Sequence, residues 1–271
     1  MKKGGLGSRL LVAVWGIPLI LGLTWLGGWW AALLIAAISF KSQHEYYGLQ
    51  KILGRQPIDW LGMSIGLVVI LAWKTGVEIV PWILIAAFPL VAAVVLLREQ
   101  SFGDLISTLG GVFYIPLLAG SFIFIRDYSG GVAITEPGRG LAFCIWGSLW
   151  IGDTAAYAGG RLLGKNKLAP AVSPNKTVEG FIFGFLGAIL FCLVWWQFRF
   201  VSLTNCLVVG LAAGLLGQIG DLVESKLKRE CSVKDAGSLL PGHGGMLDRF
   251  DSFLFTAPMV AMFLALRFYL R

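Results

Sequence analysis

The sequence predicts an all-α integral membrane protein, a polytopic helical bundle of about nine transmembrane helices. Three observations predict it. Of 271 residues, 57% are hydrophobic and 14% charged, against about 25% charged in soluble domains, and the mean hydropathy is +0.78. The apolar residues fall in long runs that a bilayer solvates directly. Eleven tryptophans suit a chain with many membrane–water boundaries, where indole rings are favoured. Backbone groups in hydrocarbon must be satisfied internally, so runs of this length read as helices, and no strand signal competes.

In order, the expected spans are 9–26, 28–40, 57–73, 79–97, 107–125, 140–157, 178–198, 201–222 and 250–269. Lys2, Lys3 and Arg9 lead into the first run, but the run is long and no small-x-small cleavage site follows. It therefore reads as a retained span rather than a signal peptide. The second span is short and leans on an amphipathic continuation through His44, Tyr46 and Tyr47, with Gly27 and Gly28 suited to a tight hairpin before it. In the seventh span Gly180, Gly184 and Gly187 stand at close-packing spacing, as do Gly210, Gly214, Gly217 and Gly220 in the eighth. Gly210, Gly214, Gly217, Asp221 and Lys228 recur near the helical period, so the eighth helix is expected to carry a glycine face ending in Asp221.

Basic residues accumulate on the cytoplasmic side of such proteins. With the N-terminus inside, 16 of the 22 Lys and Arg fall on the inner side, as do 12 of the 15 acidic residues. The inner face of a bacterial-type cytoplasmic membrane therefore carries both signs of charge, and the C-terminus lies outside. No linker separates two soluble domains. The chain reads as one membrane domain, 1–140 being a multi-span region and 141–271 the spans that surround a polar cytoplasmic loop, 222–250. The net charge of +7 sits on no soluble basic domain or arm, which argues against nucleic acid as a partner. Cys144, Cys192, Cys206 and Cys231 lack metal-ligand spacing, and the first three lie within apolar runs as packing residues.

Charge concentrates in the loop. Ser225 to Asp251 holds Lys226, Lys228, Arg229, Lys234, His243 and Arg249 beside Glu230, Asp235, Asp248 and Asp251, with Gly237, Gly242, Gly244 and Gly245 between them. Such a stretch is either a solvated connector or a site where carboxylates hold a cation and basic groups hold phosphate. Asp221, at the end of the glycine face, needs a partner: a salt bridge to Lys226 or Arg161, or a metal. Asp248 and Asp251 are three residues apart at the start of the ninth helix, so both can face one side and share hard cations with Asp221. An all-oxygen donor set favours magnesium, completed by water and substrate phosphate. His243 is as well structural as catalytic; Gly244 and Gly245 after it let backbone N–H groups approach an anion.

Two further segments face the same side. Asp153 interrupts an apolar helix, with Tyr157 and Arg161 after it. Ser173-Pro-Asn-Lys-Thr-Val-Glu-Gly180 opens the seventh span, where Ser173 or Asn175 suits a cap, Pro174 a first turn and Glu179 the positive helix end. Lys176 is unfavourable there unless an anion is bound. Together these groups suit metal-assisted phosphoryl transfer. A phosphomonoester nucleophile, with a second pKa of about 6, is already dianionic at neutral pH and needs no general base.

The run of Ser225, Lys228, Arg229, Lys234, Asp235, Gly237, Leu240, Pro241, His243, Gly244, Gly245, Asp248, Arg249 and Asp251 resembles the signature of the phosphatidate cytidylyltransferases, also called CDP-diacylglycerol synthases. Asp153 with Tyr157, and Ser173 to Gly180, resemble two further motifs of that family. These motifs fall in the last 120 or so residues, whereas 1–140 resembles the family only as a hydrophobic multi-span region. Asn175 departs from the pattern, standing where the family commonly has a lysine.

The resemblance implies an integral membrane enzyme that uses CTP and phosphatidic acid to make CDP-diacylglycerol and pyrophosphate with Mg2+, a second cation being possible. It implies Asp221, Asp248 and Asp251 as metal ligands. Lys226, Arg229, Lys234, His243 and Arg249 join Asp221 and Asp248 as catalytic candidates. Asp153, Ser173, Lys176, Thr177, Glu179, Ser225, Lys228, Gly244 and Gly245 are candidates for binding substrate. The glycine faces also permit a homodimer. Competing readings are a membrane phosphotransferase using a CDP-alcohol or polyprenyl phosphate, and an ion or metabolite transporter, whose charges belong nearer mid-membrane.

Overall fold

The computed structural model describes residues 6–129, 137–237 and 244–269, with side chains described for 14–267 of these. The chain forms two compact units, Met1–Phe124 with Leu227–Phe250, and Ile125–Lys226 with Asp251–Arg271.

The first unit begins with α1 (Leu6–Leu26) and α2 (Gly28–Ile52), then α3 (Asp59–Thr75), α4 (Val80–Leu97), α5 (Phe102–Tyr114) and most of α6 (Pro116–Asp127). Gly27 and Gly28 both have positive φ, 65° and 53°, so the α1–α2 junction is the tight turn that those residues predict. The core lies between α3, α4 and α5, where Leu61, Ile65, Val69, Ala87, Val91, Leu105, Leu109 and Val112 pack together. A capping box opens α5: Asp104 N–H donates to Ser101 Oγ at 3.2 Å and Ser101 N–H to the Asp104 carboxylate at 2.9 Å.

A polar network fixes α2 to this core. Tyr47 Oη donates to Thr108 O at 2.8 Å and accepts from Gln43 Nε2 at 3.0 Å, while Gln43 Nε2 also donates to Gly62 O at 2.8 Å. Gly62 and Gly111 are glycine because the Tyr47 ring occupies the space a Cβ would need.

The second unit contains α7 (Pro137–Leu163), an antiparallel ribbon of β1 (Lys167–Ala169) and β2 (Ser173–Thr177), α8 (Val178–Gln197), α9 (Leu203–Leu211), a π-helical turn at Ala212–Gly217 and most of α10 (Gln218–Glu230) and α11 (Leu247–Tyr269). Helices α7 and α8 approach almost backbone to backbone. A methyl on Gly180 would lie 2.9 Å from Ala156 O, and one on Gly187 would lie 2.6 Å from Ala155 Cβ. Trp146 stacks on Phe253 with ring centroids 4.7 Å apart.

The protein is an all-α membrane protein in architecture. Among the described residues five helical stretches are long and apolar enough to cross a bilayer: Val77–Leu97, Phe102–Asp127, Val178–Gln197, Leu203–Glu230 and Leu247–Arg267. Most of the α4 surface is exposed, Trp82 by 71% and Leu97 by 84%, as suits a lipid-facing helix. Helices also occupy the expected spans 28–40, 57–73 and 140–157. Of these, α3 is the shortest at 17 residues, and α2 and α7 turn polar toward their C-terminal ends, with Lys41, Gln43 and Glu45 in one and Asp153 and Arg161 in the other.

Three local expectations are corrected. A strand does form, Ser173–Thr177 pairing with Lys167–Ala169, so Ser173 and Asn175 do not cap α8 and Pro174 is not in its first turn. The cap is Thr177, whose hydroxyl accepts from Gly180 N–H at 3.1 Å. The glycines of the eighth span do not share one face, because the π turn shifts the register. Gly210 and Gly214 abut Ile189 and Phe185 of α8, whereas Gly217 and Gly220 abut Ser252, Thr256 and Phe255 of α11.

Candidate active site

In the second unit α7, β2, α8 and α10 surround a cavity of about 430 Å³, lined by Asp153, Tyr157, Arg161, Asn175, Lys176, Thr177, Gln218 and Asp221 with Leu168 and Phe181 as apolar wall. The cavity lies at the polar end of α7 and α8, where Leu168 of β1 and Asn175 to Thr177 of β2 complete its lining. Lys176 reaches it from β2 and forms an ion pair with Asp221 of α10. That partner is neither Lys226 nor Arg161, the two suggested by the sequence.

Ser225 Oγ lies 3.4 Å from Asp221 Oδ1, one helical turn on. Arg161 Nη1 donates to Tyr157 Oη at 3.3 Å. Gln218, which the sequence did not single out, ties the wall together by donating from Nε2 to Phe181 O at 3.0 Å and Gly214 O at 2.6 Å.

Glu179 has a structural task beside the cavity. Its carboxylate accepts from Lys165 N–H at 3.1 Å, Asn166 N–H at 3.2 Å and Asn166 Nδ2 at 2.8 Å, fastening the α7–β1 turn to the first turn of α8. Ser173 opens β2. Lys226 is exposed at the end of this unit, and Asp251 is buried, its Oδ1 accepting from Ser252 N–H.

In the first unit the loop residues gather on Asp248. Its Oδ1 accepts from Lys228 Nζ at 2.6 Å, and its Oδ2 accepts from Ala236 N–H at 2.9 Å and Gly245 N–H at 2.6 Å. The Lys228 and Asp248 side chains are only 10% and 6% exposed. Gly244, at φ +82°, has the left-handed backbone that this turn requires, and a Cβ there would lie 2.8 Å from Asp248 Oδ2. Arg229 donates to Val233 O at 3.1 Å, and Lys234 and Arg249 are exposed. His243 lies outside the described residues.

Glu45 of α2 also reaches this loop, accepting from Leu247 N–H at 2.9 Å. The sequence marks it only as an acid four residues after Lys41, whose Nζ is 3.7 Å away.

The carboxylates suit a hard cation in donor type. Among the described residues no three His, Cys, Asp or Glu are grouped to hold a metal. Asp221 fits such an ion best: it is part-exposed on the cavity and its present cation is one lysine. Asp248 already has both oxygens filled by protein donors.

Residues 7–267 match the model of the cytidylyltransferase family. A phosphatidate cytidylyltransferase of Synechocystis is 32% identical over 288 aligned positions, covering 96% of both chains. One of Staphylococcus aureus is 35% identical over 211, covering 74% of this chain and 77% of that protein. One of Staphylococcus epidermidis is 48% identical over 130, covering 46% of this chain and 50% of that one. With a match that runs almost end to end, the chain belongs to the cytidylyltransferase family.

Proposed function

We propose that this chain is a membrane enzyme that transfers CMP from CTP to phosphatidic acid, giving CDP-diacylglycerol and pyrophosphate. The observation that carries the reading is the cavity, where Lys176, Arg161 and Asp221 meet an apolar wall of Phe181 and Leu168. Paired charges beside apolar surface suit a ligand that is phosphate at one end and hydrocarbon at the other. The end-to-end likeness to proteins named for this reaction supports the same substrates.

In the proposed reaction a phosphatidate oxygen attacks the α phosphorus of CTP in line. The bond from that phosphorus to the β-bridging oxygen breaks, and pyrophosphate leaves with its electron pair. Positioning and neutralisation of charge supply most of the catalysis. Lys176, Lys226, Lys228, Arg229, Lys234 and Arg249 are proposed to bind phosphate, with His243, Gly244 and Gly245 offering further donors. Asp153, Ser173, Thr177, Glu179 and Ser225 are proposed to shape the binding surfaces.

A divalent cation, when bound, would polarise phosphoryl oxygens and offset the charge of the leaving group. Asp221 is proposed to hold magnesium as an oxygen donor, with Asp251 as a further donor and Asp248 joining once Lys228 gives up its Oδ1 to bind phosphate; a second cation is compatible with their number. The charged loop is proposed to face the cytoplasm.

The test is pyrophosphate release by detergent-purified protein given CTP, phosphatidic acid and magnesium, with each omitted in turn and ATP exchanged for CTP. Release that needs all three, with CDP-diacylglycerol as product, is expected. Asp221→Asn is expected to lower turnover at least ~100-fold and to raise the magnesium concentration required. No turnover by folded, lipid-supplied protein would overturn the reaction; full turnover by the variant would overturn the ligand.

A further inference from the structure

We propose that Glu45, on α2, is a positioning residue that seats the loop carrying Asp248. The inference rests on the proposed reaction for the importance of that loop. Its geometry lies wholly within the first unit.

Glu45 is 4% exposed although charged. Burying a carboxylate is costly unless donors compensate it; Lys41 Nζ lies 3.7 Å from Oε1, and the hydrogen-bond donor to Oε2 comes from 202 residues away. Leu247 N–H, one of the amides left unpaired at the start of α11, donates to Oε2 at 2.9 Å. A negative charge at a helix N-terminus is also favoured by the helix dipole.

The same carboxylate touches both sides of the loop. A methyl on Gly237 would lie 2.5 Å from Oε1, and one on Gly245 would lie 2.5 Å from Oε2 and 2.8 Å from Gly237 N. The two glycines thus pinch together over Glu45, one on either side of residues 238–243. Gly245 N–H in turn donates to Asp248 Oδ2, as does Ala236 N–H. One buried carboxylate therefore fixes the backbone that orients Asp248, and both glycines lack side chains because Glu45 fills the space.

The helix that carries Glu45 is itself held from the other side. Residues two apart on a helix point in nearly opposite directions, and residues four apart share a face. Glu45 faces the loop, and one turn further along α2 the main-chain Leu49 O accepts from Cys231 Sγ at 3.4 Å. Gln43 and Tyr47 face α3 and α5 through the buried hydrogen bonds already described. Rigid packing on one face gives the carboxylate on the other a fixed location.

The experiment compares wild type, Glu45→Ala, Glu45→Gln, Gly237→Ala and the double Glu45→Ala/Gly237→Ala in mixed micelles of phosphatidic acid with CTP and magnesium. It reads kcat, KM for CTP, thermal midpoint, and hydrogen exchange in peptides from 244–248 and from α3 and α5. Glu45→Ala is expected to lower kcat ~10- to 100-fold, with KM for CTP within about threefold, an unchanged midpoint, and faster exchange confined to 244–248.

Glu45→Gln keeps an acceptor for Leu247 N–H and is expected to recover most of kcat. The double variant is expected to be no worse than Glu45→Ala alone, because both changes act through one contact. Unchanged kcat in Glu45→Ala overturns the proposal. So does a loss of activity accompanied by a lower midpoint and faster exchange throughout α3 and α5, which marks a role in stability alone. A wild type that exchanges normally yet converts nothing overturns the reaction and, with it, this inference.

Discussion

Asp221 and Lys176 are 45 residues apart in sequence and ion-paired in the structure. The sequence makes plain that Asp221 needs a cation, because a carboxylate beside a small-residue helix face is expensive alone. It does not identify which cation, since Lys226 and Arg161 satisfy the same rule and only the fold of the β ribbon decides. Asp248 illustrates the same limit. Its pairing with Lys228 and two loop amides depends on a turn whose shape is not contained in residue types. Cys231 is 4% exposed, and burial pushes its thiol up from the ordinary value, so little reactive thiolate forms at neutral pH. All four cysteines are free and buried. Brief maleimide treatment of native protein at pH 7 is therefore expected to leave Cys231 unmodified, with labelling of all four after denaturation. An adduct on Cys231 of native protein by mass spectrometry would contradict this.

At the scale of elements, helices were legible and their interruptions were not. Hydrophobic runs locate α4, α8 and α11 closely because lipid-facing and core positions alike demand apolar side chains there. The ribbon of β1 and β2 escaped because eleven residues from Lys167 to Thr177 are too few and too polar to carry a periodic signal. The need for a cap at the start of α8 is plain from the sequence, but Ser173, Asn175 and Thr177 are chemically alike as caps, and only the ribbon singles out Thr177. Helix α2 draws its stability from Tyr47, whose hydroxyl both donates to Thr108 O and accepts from Gln43. Tyr47→Phe leaves these buried partners short and is expected to cost ~1–3 kcal/mol. A thermal midpoint equal to wild type in the same detergent would show the network to be dispensable.

For the whole molecule, composition identified a membrane protein and charge bias implies a direction across the bilayer. Lys234 belongs to the basic side of that bias and Arg199 to the other, and both are exposed. Because the native thiols are buried, Lys234→Cys and Arg199→Cys can be made without removing them. An impermeant maleimide is expected to label Lys234→Cys only from the cytoplasmic side and Arg199→Cys only from the opposite side. The reverse pattern would invert the proposed orientation.

The π-helical turn at Ala212–Gly217 has a consequence for the compass bearing of Asp221, four residues beyond it. One additional residue in a helix is worth roughly 100° of rotation and 1.5 Å of advance. Continued as an ordinary α-helix, the same chain would swing the carboxylate more than a quarter-turn away from its present heading. The aim of a charged group is thus governed by a stretch of alanine, glycine and leucine that has no reactive chemistry. A one-residue slip there would mis-aim Asp221 while leaving every ionisable side chain intact.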